Sequence, residues 1–107
     1  MKKIILIGTF IAISLGFTST SRAFSCPNHF TQAQAAIDSA TTAMEAMTDK
    51  TRAGLVHTLL DDAKMLLHSA KHNHEKPAAG GYDHARSLAK ADSAKAYADA
   101  AKALAES

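Results

Sequence analysis

The sequence predicts an all-α protein: a small antiparallel bundle of three helices behind a cleaved signal helix. Three observations predict it. Apolar residues recur every three or four positions through three separate stretches. Between them lie Thr48-Asp-Lys-Thr51 and the segment from Asn73 to Gly81, which holds Pro77 and Gly80-Gly81; such residues break helices. The last stretch is rich in alanine, the strongest helix former.

The first helix is expected from about Asn28 to Met47, with Phe30, Ala33, Ile37, Ala40, Met44 and Met47 as its seam. Pro27 suits a first helical position, with Ser25 or Cys26 as cap. Thr31 and Gln34 also fit a capping box, one turn later. Thr48, Asp49 or Thr51 caps the second helix, which is expected to end near His72. Val56, Leu59, Leu60, Ala63, Leu66, Leu67 and Ala70 give it a wide apolar stripe. These are the bulkiest core residues of the chain, so this helix should bury the most surface. Asp83 is a plausible cap for the third helix, which runs to about Ala105. Leu88, Ala91, Ala94, Tyr97, Ala98, Ala101 and Leu104 form its shallow apolar face. The pattern equally suits a bundle enlarged by a second copy, a homodimer.

Residues 1–23 have the form of a secretory signal peptide. Lys2 and Lys3 precede an apolar run from Ile4 to Phe17, and Ser21-Arg22-Ala23 supplies small residues for cleavage. The expected destination is the periplasm, with residues 24–107 as one domain and no membrane span after cleavage. Cleavage removes three basic residues and no acid, leaving nine basic against ten acidic. The precursor's net charge of +2 therefore belongs to the leader, and no basic stripe favours nucleic acid. A domain this small has a thin core and often needs a staple, a metal or a partner. With one cysteine, Cys26, it has no internal disulfide. Cys26 can pair with another chain, carry a lipid, ligate a metal together with His29, three residues on, or stand as an exposed N-terminal thiol without a role.

All six histidines, His29, His57, His68, His72, His74 and His84, lie in the mature part. His68 and His72 stand one helical turn apart, a spacing that chelates one ion at two corners. His57 and Asp61 repeat it one stripe earlier. The antiparallel connection carries His84 back beside His72 and His74. The expected main site is therefore His68, His72, His74 and His84, with His57 and Asp61 as a weaker one and Cys26 and His29 as a third. Imidazole suits copper, nickel and zinc. Met65 adds a soft donor near His68, although such a residue usually packs. Histidines near a helix C-terminus are also favoured by the carbonyls there, so His72 and His74 have a structural explanation too. HExxH, CxxCH and glycine-rich phosphate loops are absent from the sequence, which points away from catalysis.

The stretch from Leu59 to His72, the Gly80-Gly81 turn and Asp83-His-Ala-Arg-Ser-Leu-Ala-Lys90 resemble the histidine-rich small metal-binding proteins of the periplasm. The likeness covers about Leu59 to Leu104. It implies a four-helix-bundle fold and binding of several divalent metals, copper above all. His68, His72 and His84 fall where that family carries histidine, whereas Lys90 and Lys102 replace histidine and Cys26 has no counterpart. The expected function is periplasmic buffering or transport of copper or a similar ion. The competing expectation is a non-catalytic helical module of the cell envelope, lipid-anchored or disulfide-dimerised through Cys26.

Overall fold

The computed structural model describes residues 25–107, so the proposed leader and its cleavage point lie outside the described residues. Three helices fill this span: α1, Cys26–Glu45; α2, Lys50–Glu75; and α3, Gly81–Glu106. They form the expected all-α bundle. Among the described residues no helix is long and apolar enough to cross a membrane.

Helix α1 starts earlier than the seam alone implies. Ser25 is its N-cap residue, although its side chain does not cap the helix, and Pro27 sits in the first turn. The Thr31 hydroxyl donates to the Pro27 carbonyl at 3.0 Å instead of capping. Asp49 caps α2: its Oδ1 accepts from the N–H groups of Thr51 and Arg52 at 3.0 and 3.1 Å. That arrangement satisfies two of the amides a helix leaves open at its start, worth about 1 kcal/mol.

The core is shared by all three helices. Ala33, Ile37 and Ala40 of α1 meet Val56, Leu60, Ala63 and Leu67 of α2 and Ala94, Ala98 and Ala101 of α3. Phe30, Met44 and Met47 pack partly buried against it, so these two methionines fill space at the core's edge. Leu60 and Val56 are the largest fully buried side chains; burial of each contributes about 1.5–3 kcal/mol. Helix α3 contributes little such burial. Its buried positions are alanines plus Asp83 and Ser87. Tyr97, expected on the apolar face, instead stays 41% exposed, and Ser87 is buried beside Leu88. Alanine narrows the space between helices, and a tyrosine ring does not fit where Ala94, Ala98 and Ala101 touch their neighbours.

Polar clamps replace the missing apolar area between α2 and α3. The Ser87 hydroxyl donates to the Ala70 carbonyl at 2.6 Å, inside the bundle. One turn on, the Lys90 ammonium donates to Ser69 Oγ at 2.8 Å and Asn73 Oδ1 at 2.7 Å. These contacts fix the register of the last two turns of α2 against the first turns of α3.

Candidate metal centre

Antiparallel packing brings three helix ends together: the start of α1, the end of α2 and the start of α3. Each buried stripe runs on into this end layer. On α1 the series Ala40, Ile37, Ala33 and Phe30 extends back by four to Cys26. On α2, Leu67 and Ala70 continue to His74. On α3, Ala94, Ala91 and Ser87 extend back to His84. Three- and four-residue steps keep a helix face constant. Cys26, fully buried, and the half-buried His74 and His84 therefore follow the core at this end of the bundle, bringing donor atoms in place of methyl groups.

One ligand atom from each of the three lies within 4.8 Å of the others. Cys26 is completely buried, and the two histidines are half-buried. The thiol donates to the His84 carbonyl oxygen at 3.7 Å. The His74 ring is held edge-on against Phe30, centroids 5.6 Å apart, and against the His84 ring at 5.5 Å. Its Nδ1 is shut off from solvent and has no hydrogen-bond partner among the described residues. A buried polar atom left this way costs about 1–3 kcal/mol, and an ion or water at that point is the usual remedy.

The connection between α2 and α3 sets the distance between the two rings. Helix α2 runs to Glu75, past the expected stop near His72. That extra turn places His74 on the helix and aims it at the end layer. Pro77 then ends the run. Gly80 takes φ 58°, a region closed to most side chains. It is also the N-cap residue of α3, the role expected of Asp83. Asp83 serves the turn from inside the helix: its Oδ2 accepts from the Ala79 N–H at 2.7 Å and its Oδ1 from Arg86 at 3.3 Å. At 6% exposure it is a buried carboxylate with both oxygens occupied.

The other sequence candidates stand elsewhere. His68 and His72 are exposed and outside this group. His57 pairs with Asp61 at 3.3 Å on the surface, with side chains 60% and 53% exposed. His29 leaves Cys26 and meets Asp92 of α3, Nδ1 to Oδ1 at 2.6 Å. That contact ties α1 to α3 and occupies one ring nitrogen. Met65 is 70% exposed and lines a groove with Asp62, Leu66, Ser69 and Tyr97. The grouping of Cys26 with His74 and His84 is not evident from local spacing. The available clue was the stripe itself, continued by one step on each helix.

Chemically, a thiolate and two imidazoles form a donor set for copper or zinc. Metal–ligand bonds of about 2.0–2.3 Å require the three donors to draw in by up to about 1 Å. No protein-family model, curated protein or solved structure matches the chain.

Proposed function

We propose that this chain is a non-catalytic metal-binding protein of the periplasm that buffers or carries a transition-metal ion. Cys26, His74 and His84 hold the ion. The single observation that carries this reading is the convergence of their three donor atoms within 4.8 Å at one end of the bundle. The isolated Nδ1 of His74 supports it, because coordination or a bound water would relieve that buried atom. The signal-peptide features of residues 1–23 support the compartment. The burial of Cys26 weighs against an anchor or an intermolecular disulfide at that thiol, since either requires the first turn of α1 to open. The exposed pair His68 and His72 is left as a weak surface chelate at most.

Metal content of the untagged protein, purified from the cell envelope and weighed by native mass spectrometry, tests the reading. One copper, nickel or zinc ion per chain is expected, lost on Cys26→Ser and retained on His68→Ala with His72→Ala. A protein that arrives without metal and takes up none of the three would overturn it.

A further inference from the structure

Three properties of the end layer restrict the ion it accepts. The first is charge. The donor group holds one thiol and no carboxylate. Asp83, next to His84, has its oxygens committed to Arg86 and the Ala79 amide. Glu75, next to His74, is exposed. A thiolate therefore neutralises one positive charge only. A divalent ion would leave a net charge beside a fully buried sulfur, and buried unpaired charge is strongly disfavoured.

The second is the helix dipoles. Cys26 is the first residue of α1 and His84 lies in the first turn of α3, whereas His74 is in the last turn of α2. Each N-terminus acts as roughly +0.5 and each C-terminus as roughly −0.5 of a charge. Two starts and one end give a positive background. It disfavours any surplus cation.

The third is coordination number. The site offers three donors, one per helix, and Phe30 lies against the His74 ring. Zinc prefers four ligands and would have to admit a solvent molecule. Copper(I) is satisfied by three, and thiolate selects it by softness.

We infer that the Cys26/His74/His84 centre takes copper(I), three-coordinate and charge-neutral, in preference to any divalent ion. This rests on the metal-binding reading above and adds the oxidation state and the geometry. Binding displaces the thiol proton to solvent and turns the sulfur from the His84 carbonyl toward the ion. No electron moves.

Anaerobic competition of the untagged protein against a chromophoric copper(I) chelator, with a parallel zinc titration, tests this. One copper(I) per chain is expected, at least 100-fold tighter than zinc. Cys26→Ser and, separately, His74→Gln should each weaken copper(I) by about 100-fold or more, with helix content by circular dichroism confirming that the variants fold. Zinc binding as tight as copper(I), and lost in the same two variants, would overturn the inference and leave the metal-binding reading intact. Tight copper(I) binding indifferent to both variants would also overturn it, because the ion would then sit elsewhere. Binding of neither ion would overturn both.

Discussion

His68 and His74 lie on one helix and meet opposite surroundings. His68 faces water, while His74 is packed between Phe30 and His84 and one of its nitrogens is sealed from solvent. The six-position step between them turns the helix so that the two rings point roughly 120° apart. One ring falls off the buried stripe and the other on it. The lesson concerns what makes a site. His68 and His72 have the better local spacing, yet local spacing supplies two donors on a solvated face. Cys26, His74 and His84 have no common spacing at all, being contributed by three helices. Their convergence depends on tertiary packing, which also buries the thiol and half-buries both rings.

The largest effect should come from removing a stripe donor. Cys26→Ser or His84→Ala should cost at least about 100-fold in metal affinity, measured by chelator competition, since a lost ligand should exceed the 10–100-fold typical of outer-shell groups. An unchanged affinity would erase the distinction between the two sets of residues. Thermal unfolding sharpens it next. An ion that ties three helix ends together binds the folded chain only. At a free concentration of 100 times its dissociation constant it adds about 2.7 kcal/mol, a rise in Tm on the order of 10 °C for a domain of this size. Cys26→Ser should abolish that rise, and a rise that survives would place the ion elsewhere.

The same buried stripe runs through the middle of the bundle. Leu60→Ala, at 1% exposure, should cost about 2–5 kcal/mol in denaturant unfolding. Leu55→Ala, at 58% exposure on the same helix, should cost within about 0.5 kcal/mol. Equal costs would mean that the two faces of α2 are not distinct. Asp83→Ala should cost about 1–3 kcal/mol, because the Ala79 amide loses its acceptor. It should also weaken metal binding, as the turn that spaces His74 from His84 loosens. The smallest effect is expected from His68→Ala with His72→Ala: under about 1 kcal/mol in stability, and less than threefold in metal affinity.

Much of this architecture was legible in the sequence. Leu60, Val56 and Ile37 announce their faces by size and spacing, and Pro77 with Gly80 marks the second turn. Asp49 was among the residues identified as a cap and is one. Legibility fades on α3. Where nearly every candidate is alanine, periodicity alone does not separate Tyr97 from its neighbours, and only the close approach of the helices turns the ring outward. It fades again at helix ends. The expected stop at His72 fell one turn short, because nothing between it and Pro77 forbids a helix. That turn decides where His74 points. Cys26 was a ligand candidate with His29 because the two are close in sequence. Asp92, more than sixty residues away, takes His29 instead, and the packing of α1 against the other helix ends turns Cys26 toward His74 and His84. Pairings of this kind are set by the packing of whole helices, which a local reading does not contain.

The most direct test of the central claim is the ligand shell itself. X-ray absorption on protein loaded with one equivalent of copper(I) or zinc counts the atoms around the ion. One sulfur and two imidazole nitrogens are predicted around copper(I), with a solvent oxygen added around zinc, the sulfur vanishing in Cys26→Ser. A shell of nitrogen and oxygen alone in the unaltered protein would contradict it.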